Sequence, residues 1–147
     1  MGNLIRKSKW MFALAASPLL FVLHTATAEV AVVSSPNFPA DSLSLSQVKD
    51  IFLGKMTSLP EGTKITVIDH KDGDAVKDEF YDKVVGKTPS QLKAYWAKII
   101  FTGEGFPPKA YSGDKAVKDH LTVTPGAIGY ISAESVDKSV KVLFESK

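Results

Sequence analysis

The 147-residue chain contains no cysteine. That absence excludes disulfide staples, thiolate metal sites and cysteine nucleophiles. It also excludes the lipid-modified type of export signal, which requires a cysteine at the cleavage point. Histidine is scarce, with His24, His70 and His120 making up all three copies, and no Gly-x-Ser-x-Gly elbow occurs. Nucleophilic catalysis therefore has little to build on, and neither enzymatic activity nor a cofactor is expected. An excess of one charge sign is missing as well. The 18 basic and 16 acidic residues give +2, and Arg6, Lys7 and Lys9 lie in the N-terminal segment, so residues 29–147 carry 15 basic against 16 acidic groups, or −1. Such a chain has no electrostatic footprint for nucleic acid or an anionic membrane.

What is present begins with an export signal. Arg6, Lys7 and Lys9 precede an apolar run from Trp10 to Leu23 that ends at Ala26-Thr27-Ala28. The basic end, the apolar stretch shorter than a bilayer span and the small-x-small site predict a signal peptide over residues 1–28, cleaved after Ala28. The expected product is a soluble protein of the periplasm with no membrane insertion after cleavage. Residues 29–147 suffice for one domain with a core of its own.

Within that domain strands and helices intermix. Val30, Val32 and Val33 read as a buried strand leading into the loop Ser34-Ser35-Pro36. Ser44 and Gln47 have capping-box spacing for a helix whose face carries Val48, Ile51 and Phe52 and which Gly54 can end. Lys64 to Asp69 alternates as the next strand. Asp74 can cap a second helix with Val76, Phe80 and Val84 on one face and Gly86 as its stop. Thr88, Pro89 and Gln91 start a third, with Leu92, Trp96, Ile99 and Ile100 apolar. Gly103 to Pro108 reads as a loop and Asp114 to Leu121 as a short helix. Thr124 to Ile131 combines a helix stop, a turn at Gly126 and a buried strand with Gly129 inside it. Val140, Val142 and Phe144 alternate along a last strand. The order predicts a single three-layer α/β lobe with a mostly parallel central sheet.

Several of these segments together resemble the phosphate-binding subunits that feed ABC transporters in the bacterial periplasm, and specifically their second lobe. The carriers are Ala31-Val32-Val33, the Leu45 to Lys55 segment ending in Ile51-Phe52-Leu53-Gly54-Lys55, the Asp72-Gly73 turn, Tyr95-Trp96 with Phe101 and Gly103, and Thr124 to Tyr130. The resemblance implies a periplasmic-binding-protein-like lobe that takes phosphate or another oxyanion at the turn and helix start after the second strand, with an ABC permease or another envelope protein as partner. In the family that segment supplies an arginine, a serine and a threonine; here His70, Asp74 and Val76 stand at the corresponding positions. Full-length members have two lobes, so a half cleft would need a second copy or a partner to close over it.

The candidate ligand residues are therefore Ser34 and Ser35 after the first strand, His70, Asp72 and Gly73 in the turn, and Asp74, Ala75, Val76 and Lys77 at the helix start. Free N–H groups at a helix start attract anions. Asp74, however, would use them as its own cap, and Asp69, Asp72 and Asp78 add like charge, which disfavours a second anion. An alternative follows: an interaction or scaffold module that kept the lobe and lost the ligand. Asp69, His70, Asp72 and Asp74 crowd together without calcium-loop spacing and read as a solvated acidic turn rather than a metal site. Tyr95, Trp96, Phe101 and Phe106 read as core by their helical spacing, and His120 as a capping or surface residue.

Overall fold

The structure, a computed structural model, describes residues 29–147; the signal-peptide expectation for residues 1–28 lies outside them. Among the described residues no helix is long and apolar enough to cross a membrane. The elements follow one another as β1 (Val30–Ser34), α1 (Leu45–Phe52), β2 (Thr66–His70), α2 (Ala75–Phe80) continuing as a π-helical turn (Tyr81–Val85), α3 (Pro89–Phe101), β3 (Lys109–Tyr111), α4 (Gly113–Val123), β4 (Ala127–Ser132), a 3-10 turn (Ala133–Ser135) and β5 (Lys141–Glu145).

The five strands form one sheet in the order β3-β2-β4-β1-β5. β2 pairs in parallel with β3 and β4, whereas β1 runs antiparallel to both β4 and β5. Four strands thus share one direction and β1 opposes them, so the sheet is mostly parallel, as the order of elements predicts. Alternation splits its faces. Val30 and Val32 of β1 with Ile128 and Tyr130 of β4 pack against Val48, Ile51 and Phe52 of α1, Phe80 of α2 and Leu92 and Trp96 of α3. Ala31, Val33, Ile68, Ala127 and Ile131 face the other way, onto Val117 and Leu121 of α4. Each fully buried aliphatic or aromatic side chain here contributes about 1.5–3 kcal/mol relative to exposure. A helix layer on each face gives the three-layer lobe.

Local chemistry sets the helix starts. Ser44 and Gln47 exchange reciprocal capping-box hydrogen bonds, as do Thr88 and Gln91, with Pro89 in the first turn of α3. Gly86 ends the turn after α2 in the left-handed region at φ 80°. In the 124–131 segment Gly126 has φ 70°, and a Cβ there would lie 2.1 Å from the Lys64 carbonyl oxygen; at Gly129 it would lie 3.0 Å from Val117 of α4. These two glycines let the chain pass the Lys64 carbonyl just before β2 and let α4 seat on the sheet.

Three features depart from the sequence expectations. Phe101 and Phe106 are not core: they are 92% and 82% exposed, whereas Trp96 is buried and Tyr95 partly so. Helical spacing places a side chain on a face but does not cover it, and α3 ends at Phe101 with only a loop beyond. β3 goes unpredicted, because a three-residue edge strand after Pro107-Pro108 has no pattern of its own to detect. In β5 a bulge sits at Leu143, since Val33 pairs with Val142 and Val32 with Phe144. That extra residue sends Val142 and Phe144 to opposite faces, breaking the simple alternation.

Candidate functional site

Parallel strands deliver polar groups to the rim where they end, and here β2 ends in two buried ones, Asp69 and His70. Asp69 is held by four donors: the Tyr130 hydroxyl at one oxygen with the His70 N–H at 2.8 Å, and the Tyr81 hydroxyl at 3.0 Å with Lys77 Nζ at 3.4 Å at the other. Such a carboxylate is satisfied by the protein itself. The two phenols cannot ionise beside it: burial first, and then the Asp69 charge, push Tyr81 and Tyr130 well above the ordinary tyrosine range. Tyr130 also stacks on Phe80 at 3.9 Å, which ties the polar cluster to the aromatic core.

His70 is fully buried, with Nδ1 3.0 Å from Asp74 Oδ2 and Nε2 2.9 Å from the Tyr130 carbonyl oxygen. Asp114 Oδ1, buried and without a hydrogen bond of its own, lies 3.6 Å from the same Nε2. The ring is thus surrounded by acceptors.

Asp74 then caps α2 by accepting the Val76 N–H at 3.1 Å. The N–H of Gly113, the first residue of α4, lies near the same carboxylate. Ser112, the natural cap position of α4, makes no side-chain cap bond. Burial works to raise the Asp74 pKa, but the hydrogen bonds from His70 and Val76 and the nearby Gly113 N–H hold it below the ordinary carboxylate value.

Lys77, one turn into α2, folds back between Asp69 and Asp72, 2.8 Å from the latter. Burial alone would lower its pKa; the two carboxylates hold it above the usual lysine value. Asp72 is correspondingly lowered, by its hydrogen bond with Lys77 and the Lys77 charge and, further off, by Lys93.

Of the sequence-derived candidates, His70, Asp72, Gly73, Asp74, Ala75, Val76 and Lys77 stand together at the carboxyl end of β2. Gly73 and Ala75 are exposed. Ser34 and Ser35 do not join them. Because β1 runs against its neighbours, Ser34 pairs with Ile128 near the start of β4, while His70 touches Tyr130 near its end; the two serines lie at the opposite rim, and Ser34 Oγ donates to the Ser35 carbonyl. The acidic run also fails to converge, since the Asp72 side chain is 96% exposed while Asp69 is buried. His120 of α4 stacks on Tyr111 at 3.7 Å. Sequence reasoning missed Tyr81, Tyr130 and Asp114 as polar members. A hydroxyl inside an apolar run and an acid in a helix first turn both look ordinary until the fold brings them to Asp69 and His70.

Beside the rim a cavity of about 830 Å³ opens between α2, α3 and the 107–110 segment, lined among others by Asp72, Lys77, Trp96, Ile100 and Pro107.

Comparison with known proteins places this lobe in a family. The family model described as the PBP superfamily domain matches residues 19–143, and the chain belongs to that family. No curated protein matches it. Among solved structures it is similar to a protein from Clostridium perfringens described as a phosphate ABC transporter substrate-binding protein with bound phosphate. The two share 29% identity at a TM-score of 0.64, over 80% of this chain and 45% of that one. An ABC-type phosphate transport receptor from Vibrio cholerae (20% identity, TM-score 0.61, 80% and 46% covered) and PstS from Borrelia burgdorferi (18%, 0.59, 79% and 47%) share the fold. The chain therefore spans a little under half the length of these structures.

Proposed function

We propose that this protein is an exported, non-catalytic binding lobe of the phosphate-receptor type whose own Asp74 fills the anion position, so that it serves as an interaction module of the periplasm rather than a trap for free phosphate. One observation carries the reading: the Asp74 carboxylate already occupies the Val76 N–H and the buried His70. A phosphate at the same place would have to displace it and would meet the charges of Asp69 and Asp72, only partly offset by Lys77. An ABC permease, another envelope protein or a second copy of the chain would close over the rim.

The similarity to a structure solved with phosphate bound supports a second reading, weak capture of phosphate or another oxyanion for ABC-type uptake by the backbone of Asp74 to Val76 with Lys77 and His70. Calorimetric titration with phosphate separates the two. The first reading expects no heat from the native protein at millimolar phosphate and measurable heat after Asp74→Ser, which removes the internal carboxylate. Sub-millimolar binding by the native protein overturns it in favour of uptake. Recovery of a stoichiometric partner from envelope extract that Asp74→Ser leaves intact supports the interaction role.

A further inference from the structure

The cavity beside the rim shares Asp69, Asp72 and Lys77 with the site above, and the rest of its lining is mainly apolar. Leu92, Trp96, Ala97 and Ile100 from α3 form one wall, and Pro107, Pro108 and Ala110 form another. At about 830 Å³ it lies in the size range of pockets that enclose small organic molecules.

Its charges cancel. Asp69, Asp72 and Asp78 line it together with Lys71, Lys77 and Lys93. The inner members are spent on one another, since Lys77 bridges Asp69 and Asp72, and Lys93 acts on Asp72 from the α3 side. A net anion would gain nothing from the lysines that it did not lose to the aspartates, and a net cation would meet the reverse balance. A molecule with an apolar body, by contrast, would cover the Trp96 and Ile100 wall; Ile100 is 48% exposed and leaves apolar surface to bury.

We propose that this cavity binds a small molecule with an apolar or aromatic body and no net charge, a zwitterion included, held by the Trp96, Ile100, Pro107 and Pro108 walls with Lys71 or Lys93 and Asp78 placed for its polar ends. The inference rests on the reading that the anion position at α2 is filled by Asp74, which turns ligand recognition away from free oxyanions and towards the neighbouring walls.

Trp96 makes the test direct. The chain has only Trp10 and Trp96, so in a Trp10→Phe background all indole emission comes from the cavity wall. The probes are L-leucyl-L-leucine and L-phenylalanine. The expected result is a saturable change in Trp96 emission with a dissociation constant of about a millimolar or tighter. It should weaken at least about tenfold in Ile100→Glu, which puts a charge in the wall, and in Ala97→Phe, which fills the space. Both positions are solvent-exposed, so both variants should fold, and circular dichroism checks that they do. No change with either probe up to about 20 mM, or equal affinity in native and both wall variants, overturns the proposal. Phosphate is titrated separately by calorimetry. Heat from phosphate that Ile100→Glu does not alter counts against the filled anion position alone, while silent dipeptide titrations count against the cavity alone.

Discussion

His70 is buried and pairs with the half-buried Asp74: the imidazole Nδ1 sits 3.0 Å from the carboxylate while Nε2 sits 2.9 Å from the Tyr130 carbonyl. The two ring nitrogens thus tie the carboxylate at the start of α2 to the backbone of β4. The pair acts as a brace joining β2, α2 and β4.

Removing the Asp74 side chain should show that brace. Asp74→Ala strips the cap of α2 and leaves a buried His70 without its partner, with an expected loss of about 2–4 kcal/mol. Asp74→Asn keeps an acceptor for the Val76 N–H and should cost less. Urea denaturation of both variants gives the comparison, and equal losses would mean that the cap bond is not what Asp74 supplies.

Asp69 gathers donors from Tyr130, Tyr81, Lys77 and its own neighbour His70. Asp69→Ala leaves these groups unpaired in the interior and should cost about 3–5 kcal/mol, whereas Tyr81→Phe removes a single bond and should cost about 1 kcal/mol. Thermal melts of the two variants test the ranking.

Stability should fall at both ends of the pH scale for reasons of opposite sign. Asp72 and Asp74 have lowered pKa values when folded, so their contribution is present above the unfolded value near 4 and is lost as pH falls through the lower folded values. Asp72 is nearly fully exposed, so its share is small and Asp74 dominates the acid limb. Lys77, Tyr81 and Tyr130 have raised values. Their contribution is complete below the unfolded values near 10 and is lost as pH rises beyond them. The expected profile is a plateau from about pH 5 to 9, read as denaturation midpoint against pH, and Asp74→Asn should flatten its acid limb.

The glycines separate space from backbone freedom. At Gly73 (φ 86°) an added Cβ would meet nothing within 4 Å, so Gly73→Ala should cost only the left-handed backbone strain, about 1 kcal/mol. Gly126 has a similar φ of 70°, but a Cβ there would strike the Lys64 carbonyl. Gly126→Ala should therefore cost well over about 2 kcal/mol or abolish folding, by the same denaturation measurement.

Much of this protein was written locally. The Ser44 and Thr88 capping boxes, the Asp74 cap, the left-handed Gly86 and the buried β1 and β4 strands depend on neighbours within a few residues, and such interactions are visible in order and spacing. From them the α/β class, the helix layers and the placing of His70 to Lys77 at the end of β2 all follow. Strand direction was decided elsewhere. β1 opposes its neighbours because long-range pairing with β4 and β5 aligns it so, and that alone carries Ser34 and Ser35 to the far rim. Only packing could expose Phe101 while burying Trp96 on the same helix. Only packing could bring Tyr81, Tyr130 and Lys77 onto one aspartate and set the Asp74 cap of α2 against His70 of β2. Hydrogen bonds of the capping kind are fixed by chain geometry over a turn. The charge arrangement at the rim depends on contacts between residues as far apart as Asp69 and Tyr130, and these exist only once the sheet has formed.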